Sequence, residues 1–226
     1  MKIKHIFFDL DHTLWDFEAN SDIAFETIFK KHSVGVNLQF FLNNYRGINH
    51  NYWKLYREEK ITKDELRIGR LKDTFLKINF KAGNELIDSL SVDYIEVLPN
   101  NNKLFEGAYE ILDHLYPNYK LHIITNGFNE VQYKKLDNSG LSKYFDKIIT
   151  SEDVGVKKPN PIIFEYALDK AKATSKESIM IGDNWEADIM GAIENGIDAI
   201  YFNYEKQPVG ANIKSVHQLI EIKEYL

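Results

Sequence analysis

The chain has 226 residues, 44% of them apolar and 13% aromatic, enough to bury a core of one to two domains and to exclude a disordered polymer. Against 28 lysines and arginines stand 34 acidic residues, a formal charge of −6, so no cationic surplus is available for a nucleic-acid polymer. No apolar run approaches the roughly 18 residues of a membrane span, Met1-Lys2-Ile3-Lys4 lacks the features of a signal peptide, and the absence of cysteine excludes a disulfide framework, thiolate zinc and a thiol nucleophile. The expectation is a cytoplasmic protein with no membrane or nucleic-acid partner.

Five short apolar runs read as strands buried on both faces: His5 to Asp9, Leu121 to Thr125, Lys147 to Thr150, Ile179 to Asp183 and Ala199 to Asn203. After the first run comes a long segment with few strand patterns. Leu38, Phe41, Leu42, Tyr45, Tyr52 and Tyr56 recur at helical spacing; Thr62 with Glu65 makes a capping box ahead of Leu71, Phe75 and Ile78; Leu86, Ile87, Leu90 and Tyr94 give a further face. From about residue 104 strands and helices alternate. Ala108, Ile111, Leu112 and Leu115 mark one helix; Pro161 opens another with Ile162, Ile163, Tyr166 and Ala167; Trp185, Ile189, Ala192 and Ile193 mark a third, closed by Gly196. Ser215 with Gln218 predicts a capping box for a last helix running to Leu226. Alternation of this kind predicts an α/β fold, a Rossmann-like doubly wound parallel sheet, with an inserted all-helical cap. The expected boundaries are 1–16 with 99–226 for the core and 17–98 for the cap, which would overhang the ligand-binding edge of the sheet.

The chemistry-bearing residues gather at the carboxyl ends of the predicted strands. Asp9 and Asp11 follow the first. Among 34 acidic residues in 226, about five pairs at this spacing arise by chance, most of them on solvated surface, but a surface role explains little at a sheet edge where ligands bind. Thr125-Asn126-Gly127 follows the second strand; its backbone N–H groups and hydroxyl suit an anion, and the same residues serve equally well as a turn and helix cap. Lys158, fixed ahead of Pro159-Asn160-Pro161, is preferred to Lys157 as an ammonium for a doubly charged phosphate, although most lysines are simply solvated. Asp183 and Asp188 follow the fourth strand, where a helix cap and a first-turn acid are the bland alternatives.

Convergence of these acids would be costly. Two like charges about 4 Å apart repel by about 4 kcal/mol at an effective dielectric of about 20, so three or four carboxylates at one edge call for a divalent cation. An all-oxygen donor set without cysteine favours Mg²⁺. No pair of histidines suggests zinc, and His12 reads as a turn residue.

The ordered set Asp-x-Asp-x-Thr, Thr-Asn-Gly, Lys-Pro and Gly-Asp-x-x-x-x-Asp, spread over residues 5 to 188, resembles the haloacid-dehalogenase superfamily of phosphohydrolases. The stretches Phe7 to Leu14, Ile123 to Phe128 and Ser151-Glu152-Asp153-Val154-Gly155 are most similar to its pyrimidine 5′-nucleotidase group. Histidine stands at position 12 where many relatives have glycine, a replacement tolerable because histidine accepts unusual backbone angles better than most residues. The acid at position 11 separates the chain from the dehalogenases themselves. The resemblance implies Asp9 as nucleophile and Asp11 as general acid and base, raised toward protonation by acidic neighbours. It implies Thr125, Asn126 and Lys158 as phosphate ligands, with Mg²⁺ held by Asp9, the Asp11 carbonyl, Asp183 and Asp188. The substrate would be a small phosphomonoester, most simply a pyrimidine nucleoside monophosphate, bound by a monomer or homodimer. Cap aromatics Phe40, Phe41, Tyr45, Tyr52, Trp53 and Tyr56 could stack on a base or form the cap's own core. A sugar phosphatase or phosphomutase of the same superfamily and a phospho-aspartate signalling receiver are the alternatives.

Overall fold

The computed structural model describes residues 2–210 and 212–226. They form two compact units, one from the described residues of 2–17 and 102–226, the other from residues 18–101.

The first unit is built on a parallel six-stranded sheet: β1 (His5–Phe8), β2 (Lys120–Thr125), β3 (Phe145–Thr150), β4 (Ser178–Gly182), β5 (Asp198–Phe202) and β6 (Lys214–Val216). Their order is β3-β2-β1-β4-β5-β6, the order of a doubly wound α/β sheet with its reversal beside β1. All four residues of β1 and all five of β4 are buried, as a strand covered on both faces requires. In register, Phe8 pairs with Ile181, and the Asp9 N–H continues the ladder onto the Ile181 carbonyl at 2.9 Å. The acids that follow β1 and β4 therefore leave the sheet side by side.

The second unit is helical, with α1 (Phe17–Lys31, whose first residue belongs to the sheet unit), α2 (Leu38–Arg57), α3 (Lys63–Lys77) and α4 (Asn84–Val97). The capping box of Thr62 and Glu65 opens α3. Phe41 and Tyr45 are buried in this unit's own core: Phe41 stands 5.1 Å from both Phe25 and Phe75, and Tyr45 lies 4.6 Å from Phe25. Core packing is thus the role of these two aromatics rather than base stacking, whereas Phe40 is 54% exposed.

Remaining helices of the sheet unit are α5 (Ala108–Leu115), α6 (Asn129–Asn138), α7 (Ser151–Val154), α8 (Pro161–Ala171) and α9 (Gly191–Glu194), the last preceded by a π-helical stretch over Trp185–Met190. Three expectations need correction. Sequence periodicity missed α6 and β6. The predicted terminal helix is a 3₁₀ segment, Leu219–Glu224, opened by a reciprocal cap between Gln218 and Glu221, because Ser215 belongs to β6. On α8 the buried face is Ile163, Phe164, Ala167 and Ala171, leaving Ile162 exposed. None of the described helices is long and apolar enough to cross a membrane.

The segment leaving β1 and the one entering α5 meet at a short two-stranded neck. Trp15 bridges Leu104 in antiparallel fashion, Asp16 N–H donates to the Lys103 carbonyl at 3.1 Å, and Phe105 N–H donates to the Leu14 carbonyl at 3.0 Å.

Candidate active site

Beyond β1 the chain turns sharply. His12 adopts φ 62°, the left-handed region where a glycine is the easiest occupant, and its N–H donates to the Trp15 carbonyl at 2.9 Å. It is a turn residue, as expected. The turn leaves Asp9 almost wholly buried and Asp11 half-buried, and it buries Thr13, whose hydroxyl donates to Asp183 Oδ1 at 3.2 Å.

Asp9, Asp183 and Asp188 come together: each offers a carboxylate oxygen within 4.8 Å of the others. Lys158, 1% exposed, enters from below. Its ammonium donates to Asp9 Oδ1 and to the Ile124 carbonyl, both at 2.6 Å, and forms an ion pair with Asp188 Oδ1 at 2.6 Å. Burial pushes the Asp9 carboxyl up to about 7; Lys158 opposes this, while Asp188 and Asp11 add to it. Asp183 is likewise held well above the usual carboxylate range by burial, then by Asp9 and Asp188. For Lys158 burial works against the ammonium, but Asp188 and Asp9 outweigh it and leave its pKa above the ordinary lysine value. With all three carboxylates ionised, one ammonium leaves negative charge uncompensated, and the donors are all oxygen. Such a set fits a hard divalent cation.

Close packing reinforces the cluster. A Cβ added at Gly182 would stand 2.3 Å from Asp188 Oδ2, so only glycine lets this carboxylate lie against β4. Gly182→Ala is expected to displace Asp188, lowering metal affinity by about 10–100-fold and costing about 1–3 kcal/mol of stability. Titration calorimetry with Mg²⁺ and a chemical denaturation curve would measure both.

The Thr125 turn is tied to the same edge. Thr125 Oγ1 accepts from the Gly127 N–H at 3.1 Å and from Gln132 Nε2 at 2.6 Å, which leaves its own proton free to donate. Asn126 does not aim its amide into the site. Its Oδ1 accepts the Lys158 N–H at 2.8 Å and its Nδ2 donates to the Lys158 carbonyl at 3.0 Å, clamping the lysine's backbone from both sides. Of the Ser151–Gly155 stretch, Glu152 and Asp153 accept from the N–H and side chain of Asn129 at 2.7 and 3.0 Å. They anchor the start of α6.

Two site residues lie on that unpredicted helix. Lys135, 2% exposed, donates to Asp11 Oδ1 at 2.6 Å, and Gln132 Nε2 donates to Asp11 Oδ2 at 3.1 Å. The expected acidic surroundings of the Asp11 carboxylate are thus replaced, at its own oxygens, by a lysine and an amide. Sequence reasoning missed both because it placed no helix after Thr125, where apolar residues are too few to mark one. The available signal was their spacing, i and i+3, which puts them on one face of a helix placed after Thr125.

A doubly wound parallel sheet carries acids from β1 and β4, a hydroxyl from β2 and a buried lysine ahead of α8 to one edge. The chain belongs to the haloacid dehalogenase-like hydrolase family, whose model matches residues 3–196. Pyrimidine 5′-nucleotidase YjjG of Escherichia coli is 33% identical over 98% of this chain and 98% of its own. The glyceraldehyde 3-phosphate phosphatase of Methanothermobacter thermautotrophicus is 28% identical over 99% of this chain and the whole of its own. Among solved structures, the HAD-hydrolase YfnB of Bacillus subtilis bound to magnesium superposes with a TM-score of 0.90 and 28% identity, covering 100% of this chain and 99% of that one.

Proposed function

We propose that this phosphatase hydrolyses small phosphomonoesters through an aspartyl-phosphate on Asp9, with pyrimidine nucleoside 5′-monophosphates as its substrates. The observation that carries the chemistry is the buried meeting of Asp9, Asp183 and Asp188 around the Lys158 ammonium. The likeness to YjjG supports the substrate class.

Asp9 attacks phosphorus in line, so its oxygen forms the new bond as the ester oxygen leaves. Asp11 supplies the proton to that oxygen and in the second half takes one from water. Lys158, the Thr125 hydroxyl and the Asn126 N–H hold the phosphoryl oxygens, where negative charge stays throughout. Asp9, the Asp11 carbonyl, Asp183 and Asp188 would hold Mg²⁺, which when bound supplies charge neutralisation and orientation for the phosphoryl group. Residues 17–98 serve as the cap domain and choose the substrate; with Phe41, Tyr45 and Tyr56 buried, Phe40, Tyr52 and Trp53 are the aromatics to test.

The likeness to a glyceraldehyde 3-phosphate phosphatase favours a second reading in which a short sugar phosphate is the substrate. A panel of UMP, dUMP, dTMP, purine nucleotides, glyceraldehyde 3-phosphate and hexose phosphates, with Mg²⁺ and with chelator, separates the two. Release of inorganic phosphate at a kcat/KM at least about tenfold higher, or about 1.4 kcal/mol, for the pyrimidine nucleotides is expected. Equal or better turnover of the sugar phosphates would overturn the nucleotide assignment. Transfer of the phosphoryl group to a sugar hydroxyl, with no free phosphate, would instead identify a mutase. A stable phosphoprotein would favour a receiver.

A further inference from the structure

Resting on the aspartyl-phosphate reading, we infer that Lys135, with Gln132, is a positioning residue that holds Asp11 as the base for the second half-reaction. The observation is the set of contacts made by the Asp11 carboxylate. Both of its oxygens accept hydrogen bonds from the same helix face: Oδ1 from the Lys135 ammonium at 2.6 Å, Oδ2 from Gln132 Nε2 at 3.1 Å. A carboxyl group engaged by donors on both oxygens is presented as an acceptor, with lone pairs left for one further proton donor.

The rest of the setting fixes that geometry. The Lys135 ammonium lies over the Trp15 ring at 4.2 Å from its centroid and 5.3 Å from that of Phe17, and the side chain is 2% exposed. Gln132 is fully buried, and its Nε2 also donates to Thr125 Oγ1 at 2.6 Å. A single amide therefore spans the phosphate-binding hydroxyl and the acid/base residue. A Cβ at Gly127 would meet the Gln132 side chain at 2.5 Å, so the turn after β2 is packed against this amide.

In the step concerned, water's oxygen bonds phosphorus while the bond from phosphorus to the Asp9 oxygen breaks. The electron pair returns to the Asp9 carboxylate, the water proton passes to Asp11, and inorganic phosphate is the product. Fixing the Asp11 oxygens lowers the barrier of this step. It leaves the first step, in which Asp11 donates rather than accepts, largely unaided.

The test is Lys135→Met in the full chain with Mg²⁺ and UMP, read by steady-state kinetics and by acid quench for protein-bound phosphate. The expected result is a fall in kcat of about 100-fold, within the range of general acid–base effects. KM is expected to fall in parallel, leaving kcat/KM within about threefold, and phosphorylated enzyme to accumulate after a burst of uridine. Lys135→Arg should recover most of kcat. Should Lys135→Met fail to fold, Gln132→Met carries the test with the same signature at smaller amplitude. An equal fall in kcat and kcat/KM without phosphoenzyme, or an unchanged kcat, would overturn the inference. A failure of the parent reading looks different: no variant, Asp11→Asn supplied with p-nitrophenyl phosphate included, whose leaving group needs no proton from Asp11, would then accumulate phosphate on the protein. Accumulation in Asp11→Asn but not in Lys135→Met refutes the role of Lys135 alone.

Discussion

Replacing Asp9 by asparagine is expected to remove turnover, by at least about 10⁴-fold as befits loss of a nucleophile, while leaving the fold intact and, without metal, more stable than the parent. The reason lies in the electrostatics of the cluster. Burial and the acids around it hold the Asp9 proton up to about pH 7, whereas an ordinary aspartate loses it near 3.8. Between those values the folded protein binds more protons than the unfolded chain, so stability falls as pH rises through that window and the difference vanishes below it. At pH 7 the penalty is on the order of a few kcal/mol, and asparagine abolishes it. Asp183, shifted the same way, keeps part of the slope. Thermal unfolding of both proteins in chelator at pH 5 and pH 7.5 checks this: the parent should lose more of its Tm between the two than Asp9→Asn does. Retained Mg²⁺-dependent phosphate release in the variant would reject Asp9 as nucleophile.

The opposite effect on stability is expected from Lys158→Met. Here a buried ammonium is withdrawn from Asp9, Asp188 and the Ile124 carbonyl, leaving acids gathered by the sheet without their cation. Breaking a buried pair from one side costs about 3–5 kcal/mol, so the variant should be markedly less stable at neutral pH. Added Mg²⁺ should restore more stability to it than to the parent, since the ion then takes over part of the lost neutralisation. Activity should not return if, as proposed, Lys158 holds a phosphoryl oxygen, a contact that a metal bound elsewhere cannot replace. Denaturation midpoints with and without Mg²⁺, together with phosphate release, test both halves.

Much of this site was legible in the sequence because strands buried on both faces leave a simple trace. Ile6-Phe7-Phe8 and Ile179-Met180-Ile181 are runs that only a covered parallel sheet explains, and the acids after them have a single edge at which to emerge. Lys158 was legible through the prolines beside it. Other features were hidden for physical reasons. β6 is only three residues long, with Val216 alone fully buried, too short to show a pattern. The inner face of α6 includes Gln132 and Lys135, both nearly inaccessible, which reverses the rule that polar side chains mark the outside of a helix. The aromatics of α2 illustrate the converse: Phe41 and Phe40 are neighbours in sequence, yet one is in the core and the other in solvent.

The two-stranded neck at Leu14–Asp16 and Lys103–Phe105 has an implication for how such enzymes diversify. Once those few backbone bonds hold the entry and exit of the inserted segment together, the entropy of closing it grows only with the logarithm of its length. From the standpoint of the sheet, what is spliced between the two ends is nearly interchangeable: a shorter, longer or unrelated helical cassette could be accommodated while the chemical apparatus at the strand ends stayed as it is.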